Sequence, residues 1–333
     1  MRLLWFLTLA LGLALAAAPE EVARRAVAEW LKGGDQATPE ALLTARSEEA
    51  LLRLLRFPPP PPGLQVNLEQ PRVEPRGEEV WVRFPAALGE RTGEVVVRLR
   101  AGEPVGIFFA VEGAGLPPWV HHPLFVALVF AVGFFLTHAL FFGSLRPLLL
   151  ELLELIRRWR WLFSLVQALL FGAFFLGVLL AYEDPELARA LQDALLPLLS
   201  AIGLERAAQK SPLFLAVAIF YWNLSRGLLL TTALPALLFG VPALILNFFR
   251  YLVFGFALSP AVVPPERFLW HLPVVVLELG AYNLAVFGGF VILAEAVSGR
   301  GFRAGLRAFG RLLIVAAVLL FWAALYEAFE VSL

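Results

Sequence analysis

Long apolar segments fill the chain from Trp119 onward, and polar residues interrupt them at only a few positions. An apolar run of about 20 residues is long enough to cross the hydrocarbon core of a bilayer as a helix. The pattern therefore predicts about six membrane spans. They are expected at Trp119–Phe142, Trp161–Tyr182, Leu213–Leu234, Pro235–Leu258, Phe268–Val297 and Leu306–Phe329.

The boundary between the third and fourth spans is marked by two prolines inside one apolar run, Pro235 and Pro242. Proline interrupts a helix because it lacks the backbone N–H and its ring clashes with the preceding turn. A tight helical hairpin and a pair of broken, re-entrant helices are both compatible with this spacing.

The pattern before residue 116 is different. Residues 1–18 combine the basic Arg2, a short apolar run and a small-residue end, which predicts a signal peptide cleaved after Ala16 rather than an uncleaved anchor. Residues 19–115 show helical apolar spacing at 20–31 and 39–55, followed by runs of alternating β-branched and aromatic residues, which predicts two helices and then a meander of about four strands. The predicted fold is an all-α polytopic membrane helix bundle over residues 116–333, with a small N-terminal extracytoplasmic α+β domain.

The charges in the predicted loops indicate how the protein is oriented in the membrane. The loops after the first and fifth spans are rich in arginine, and such loops stay in the cytoplasm. The arginines concerned are Arg146, Arg157, Arg158, Arg160, Arg300 and Arg303. We therefore expect a bacterial inner (cytoplasmic) membrane protein with its N-terminal domain and C-terminus outside.

The amino-acid composition excludes several classes of protein function. The chain is 60% apolar and 16% charged, its mean hydropathy is +0.77, and the lipid bilayer is its expected surrounding. Its formal net charge is zero, which gives no basic field for nucleic acid. It contains no cysteine, so disulfides, thiolate catalysis and cysteine-ligated zinc are excluded.

Motifs for intramembrane catalysis are missing: the sequence has no HExxH, no GxSxG and no glycine-rich phosphate loop. His121 and His122 would need a distant glutamate to form a metal site, and interfacial anchoring beside Trp119 is the favoured role for the two histidines. His138 is expected to hydrogen-bond between helices. We therefore predict no enzyme activity, no metal and no cofactor.

The polar residues inside the last four spans are the candidate functional site. Two insertions repeat the same spacing, Asn223-Leu-Ser-Arg226 and Asn247-Phe-Phe-Arg250, which places each Asn and Arg on one side of an α-helix. Two glutamates, Glu278 and Glu327, follow in later spans. A charge in hydrocarbon costs ~3 kcal/mol or more, so it is usually paired or lines a cavity. Arginine–glutamate pairs that lock the bundle are favoured over a substrate or ion cavity and over snorkelling to the headgroups. Secondary candidates are His138, His271, Asn283 and Glu295.

The order of these motifs resembles the stage II sporulation protein M family over about residues 210–330. The motifs that carry the resemblance are Asn223-x-x-Arg226, Phe239-Gly240, Asn247, Leu272-Pro273, Glu278-Leu-Gly-Ala and Ala-Leu-Tyr-Glu327-Ala-Phe. The chain departs from the family where Pro273-Val274-Val275 replaces Pro-His-Gly, with His271 upstream, and where Phe248 replaces a glycine.

The resemblance implies a non-enzymatic integral membrane protein, whose namesake works with peptidoglycan-degrading partners during engulfment. Our leading hypothesis is a protein that anchors or organises extracytoplasmic partners, with cell-wall enzymes as candidates. The alternative is a transporter or permease subunit that uses the Asn and Arg groups as an intramembrane anion site. An intramembrane hydrolase is a third and weaker reading, because no nucleophile-and-base pair is present.

Overall fold

The computed structural model describes residues 18–33, 56–76, 78–111, 116–202 and 204–332. The predicted signal peptide and the second helix expected before the strands lie outside these residues. The chain divides into two compact units. The first comprises the described residues before 116 together with Ala190–Ile202, and the second comprises Leu116–Arg189 and the described residues from 204 onward.

The described part of the first unit contains a helix, a five-stranded antiparallel sheet and the end of a second helix that it shares with the other unit. Its elements are α1 (Pro19–Lys32), β1 (Leu64–Val66), β2 (Arg72–Arg76), β3 (Glu79–Leu88), β4 (Arg91–Arg100) and β5 (Glu103–Val111). Strands β3, β4 and β5 form a meander, and β1 and β2 both pair with the free edge of β3, one after the other. The small antiparallel sheet predicted from the β-branched runs is confirmed.

One face of this sheet packs against α1. Alternate side chains of a strand point to opposite faces. Those on the helix side of β3 and β4 include Val82, Phe84 and Val97, and they enclose Val27 and Trp30 of α1. All five side chains are buried, so burial of apolar surface holds the helix on the sheet.

The opposite face of the sheet carries a buried ion network centred on Arg98, whose side chain is 3% exposed. Its guanidinium donates to both carboxylate oxygens of Glu79, at 2.8 and 2.9 Å, and to Oδ1 of Asp193 at 2.9 Å. Burial by itself raises the pKa of Glu79, but hydrogen bonds from Arg98, Arg100 and Trp81 and the charge of Arg98 outweigh it and lower the pKa to about 2.

The second unit is helical. Its helices are α2 (Pro123–Phe141), α3 (Arg146–Arg158), α4 (Arg160–Glu183), α5 (Pro185–Ile202, shared with the first unit), α6 (Leu204–Lys210), α7 (Pro212–Ala236), α8 (Val241–Ala257), α9 (Pro265–Val297) and α10 (Phe302–Ser332). Within the described residues, α2, α4, α7, α9 and α10 are the five that are long and apolar enough to cross a membrane. The predicted helix bundle is confirmed, whereas a sixth span is not.

Helix α8 corresponds to the predicted fourth span, Pro235–Leu258, and is the one that falls short of the length of a membrane span. It has 17 residues, which at 1.5 Å per residue give about 26 Å, slightly less than the ~30 Å hydrocarbon core. Helices α7 and α8 are joined by residues 237–240, where Phe239 and Gly240 adopt positive φ angles of 60° and 83°. Because Thr232 near the end of α7 contacts Asn247 of α8, the two helices fold back on each other as a hairpin.

Glycines allow the helices of this unit to approach closely. A Cβ atom added to Gly177 of α4 would lie 2.1 Å from the carbonyl oxygen of Leu252, and one added to Gly255 of α8 would lie 1.9 Å from that of Phe174. Small residues at helix contacts are typical of membrane bundles, where close backbone packing replaces the hydrophobic effect between helices. Helices α4 and α8 are therefore in backbone contact.

Candidate functional site

The first Asn-x-x-Arg motif lies at the point where α7 changes its winding. Residues Asn223–Ala233 form a π-helix, in which each N–H bonds to the carbonyl five residues back. Two consecutive threonines near its end, Thr231 and Thr232, donate their hydroxyls to the carbonyl oxygen of Gly227 at 2.9 and 2.8 Å. Hydrogen bonds from these two side chains to the backbone of the same helix thus stabilise the π-helix.

The second motif completes a polar cluster within the α7–α8 hairpin, which we call the hairpin cluster: Thr231, Thr232, Asn247 and Arg250. Asn247 is fully buried and donates to the Ala243 carbonyl oxygen at 2.8 Å. Arg250 donates to Oδ1 of Asn247 at 3.2 Å, to Oγ1 of Thr232 at 3.4 Å and to Oγ1 of Thr231. The arginine charge is therefore solvated by neutral oxygen acceptors.

A second polar group, which we call the Asn283 bridge, joins three helices. Asn283 of α9 is fully buried and donates to Oε1 of Gln167 on α4 at 2.6 Å. The hydroxyl of Tyr251 on α8 lies 2.8 Å from Oδ1 of Asn283 and 2.5 Å from the Leu279 carbonyl oxygen. Each buried polar atom of the bridge has a partner, which is what burial in an apolar bundle demands.

The third group is a carboxyl cluster between α9 and α10. Glu278 accepts a hydrogen bond from the hydroxyl of Tyr282 at 2.9 Å, and Asn223 lies near it. Glu327 lies close enough to interact electrostatically with Glu278 and Glu330, and Glu330 is 3.0 Å from Nδ1 of His271. Three acids and one histidine from two helices therefore share one region of the bundle.

The predicted ion pairs are not formed as direct salt bridges. Among the described residues, neither Arg226 nor Arg250 makes a salt bridge with Glu278 or Glu327, although Arg250 lies near enough to Glu278 to interact with it electrostatically. The guanidinium of Arg250 lies 5.2 Å from the centre of the Tyr282 ring on α9. Arg226 is exposed and lies 5.9 Å from the ring of Trp222, as snorkelling would require.

The π-helix explains why Asn223 and Arg226 do not share a face. In an α-helix, residues three apart are neighbours on one side. A π-helix has more residues per turn, because its hydrogen bonds span five residues instead of four. Three residues therefore cover a smaller part of the turn, so Asn223 lies near Glu278 while Arg226 is exposed.

Two secondary candidates have different surroundings. Glu295 is 3% exposed and accepts hydrogen bonds from Trp159 at 2.9 Å and Arg300 at 2.7 Å, with Arg158 at 3.6 Å. It joins the end of α9 to the junction of α3 and α4. His138 is exposed and lies over the ring of Phe142, while its neighbour Thr137 accepts from the indole of Trp322.

Comparison with known protein families shows which family the chain belongs to. Residues 126–331 match the family Stage II sporulation protein M (SpoIIM). The chain belongs to the SpoIIM family. The match extends beyond the resemblance found over about residues 210–330 and takes in α2, α3 and α4 of this SpoIIM protein. No curated protein and no solved structure matches the chain.

The polar groups of this SpoIIM protein include residues that the sequence reasoning did not single out: Gln167, Thr231, Thr232, Tyr251 and Tyr282. A usable signal was present for Gln167 and the threonines, since each interrupts an apolar run. Within the described residues, no three histidine or acidic side chains come together as metal ligands. What the arrangement does chemically is to hydrogen-bond helices to one another.

Proposed function

We propose that this SpoIIM protein is a non-enzymatic membrane scaffold of the cell envelope, which anchors or organises extracytoplasmic partners through its N-terminal unit. The partners we expect are envelope proteins, with cell-wall enzymes as candidates. A single observation carries the proposal: the buried polar side chains of the hairpin cluster and the Asn283 bridge are committed to one another.

Arg250 brings a permanent positive charge into the α7–α8 hairpin, where its side chain is half-buried. Both terminal nitrogens of Arg250 donate to oxygens within the hairpin, those of Thr231, Thr232 and Asn247. These contacts fix α8 on the end of α7, so they support a rigid platform.

Topology is part of the same proposal. We place the N-terminal unit outside and the arginine-rich ends of α3 and α10 in the cytoplasm of a bacterial inner membrane. Helix α8 then supplies the sixth crossing and brings the C-terminus outside. Support for the crossing comes from its exposed apolar side chains Val241, Ile245, Leu246, Phe249 and Val253, which suit contact with lipid.

The alternative, a transporter or permease subunit, is favoured by the carboxyl cluster. Glu278 and Glu327 lie close together between α9 and α10, and neighbouring acids are common in ion pathways. This alternative predicts that reconstituted protein dissipates an ion or solute gradient across liposomes, and that Glu278→Gln abolishes the flux. The scaffold predicts no flux from either protein.

The direct test of the scaffold is photo-crosslinking in growing cells. A photoreactive amino acid replaces Glu90 or Glu103, both exposed at turns of the sheet, and in a matched control it replaces Phe329, exposed on α10. We expect defined protein adducts from the two sheet positions that are not obtained from Phe329. Recovery of uncrosslinked monomer from both sheet positions would contradict the proposal.

A further inference from the structure

A pocket separate from the three polar groups opens between α3 and the beginning of α10. Its volume is about 360 Å³, within the range that small-molecule ligands and headgroups occupy. Four arginines and three glutamates line it, together with small and apolar side chains. The charged residues are Arg158, Arg300, Arg307, Arg311, Glu151, Glu154 and Glu295.

The charges in the pocket leave an excess of arginine. Glu295 is shared between Arg158 and Arg300, so two cations meet one buried carboxylate. Arg311 pairs with Glu151. Arg307 is exposed and makes no ion pair with any described residue. With four arginines against three glutamates, the lining carries one net positive charge.

The amphipathic pattern of α3 indicates that this pocket lies at a membrane surface. Helix α3 is amphipathic: Leu152 and Leu155 are buried in the bundle, whereas Leu150 and Leu153 are 54% and 45% exposed. Glu151 and Glu154 lie on the face that lines the pocket. A helix with apolar side chains on its exposed face and charges beside them lies at the headgroup level of a bilayer.

We infer that this pocket binds the phosphate of an anionic phospholipid headgroup. Arg307 supplies the uncommitted guanidinium, which suits a phosphate oxygen pair, and Leu150 and Leu153 lie where the acyl chains would pack. Basic pockets between membrane helices bind lipid headgroups in this way. A phosphodiester carries a single negative charge, which matches the net charge of the lining, whereas free phosphate near neutral pH carries more charge and would face the three glutamates.

Native mass spectrometry of the full chain tests this inference. Protein is reconstituted in nanodiscs of equal phosphatidylglycerol and phosphatidylcholine, released, and the lipid that stays bound is counted. Wild-type protein is expected to retain phosphatidylglycerol selectively. Arg307→Gln should lower the retained fraction about fivefold, since one surface arginine contributes on the order of 1 kcal/mol to anionic lipid binding.

The matched control is Arg303→Gln, one helical turn earlier on α10. Arg303 is exposed like Arg307 but does not line the pocket, so its removal changes the general surface charge equally and should leave retention unchanged. Equal losses from the two variants, or no selectivity in wild-type protein, would overturn the site. Inorganic phosphate that binds with the same dependence on Arg307, without retained phosphatidylglycerol, would overturn the lipid assignment.

Discussion

The Asn283 bridge allows a quantitative test of how the membrane unit is held together. Asn283→Ala removes the hydrogen bond to Gln167 at 2.6 Å and the contact with the Tyr251 hydroxyl at 2.8 Å. Hydrogen bonds between membrane helices contribute ~0.6 kcal/mol on average and at most ~1.7 kcal/mol each. We therefore expect the single replacement to lower the free energy of unfolding by ~1–3 kcal/mol.

A double-mutant cycle isolates the bond itself. Asn283→Ala and Gln167→Ala, alone and together, should give a coupling free energy of ~0.6–1.7 kcal/mol, because each single replacement already breaks the bond between them. Unfolding is followed by steric trapping of the full chain in bicelles. The comparison pair is Asn283→Ala with Thr137→Ala, whose contact is with Trp322 instead, and it should be additive within ~0.5 kcal/mol.

A coupling energy near zero between Asn283 and Gln167 would refute the reasoning. It would mean that the unfolded state in the membrane satisfies these amides as well as the folded bundle does. The same result would weaken the claim that buried polar groups of this protein brace helices.

Two further predictions concern separate parts of the chain. Glu79→Gln should destabilise the sheet by about 3 kcal/mol at pH 7, because folding lowers the pKa of the Glu79 carboxyl from 4.5 to about 2. This stabilisation is fully present above pH ~4.5 and is lost as the pH falls through 2. Faster hydrogen exchange in β3 and β4 at pH 7, absent in Glu90→Gln, would show it, and equal exchange would exclude it. Gly177→Ala should destabilise the bundle by ~1–3 kcal/mol through overpacking against the α8 backbone. Gly172→Ala on the same helix has open space around it and should be neutral in thermal unfolding, so equal melting temperatures for the two variants would contradict the close packing.

Most helices could be predicted because the signal is local. The length of an apolar run decides whether a helix can span the bilayer, and five of the predicted segments correspond to helices of sufficient length. The strands follow from β-branched alternation in the same way. The fourth segment was less predictable, because its prolines set the turn at residues 237–240 and leave α8 only 17 residues.

The candidate site was predicted by residue type but not by partner. Asn247, Arg250, Glu278 and Asn283 all take part in polar contacts inside the bundle. Their partners depend on the three-dimensional arrangement, and the ion-pair hypothesis assumed α-helical geometry throughout. The π-helix turns Arg226 outward, which no spacing rule in the sequence indicates.

The central claim is that Thr232 and Asn247, the fully buried members of the hairpin cluster, are closed to water and bonded within the cluster rather than to a substrate. The chain contains no cysteine, so Thr232→Cys introduces a single thiol at a fully buried position of this cluster. Ser298→Cys, exposed in the turn between α9 and α10, is the matched control. In membrane vesicles of either orientation we predict that a water-soluble maleimide labels Ser298→Cys and leaves Thr232→Cys unreacted. Labelling of both thiols at similar rates would contradict the account.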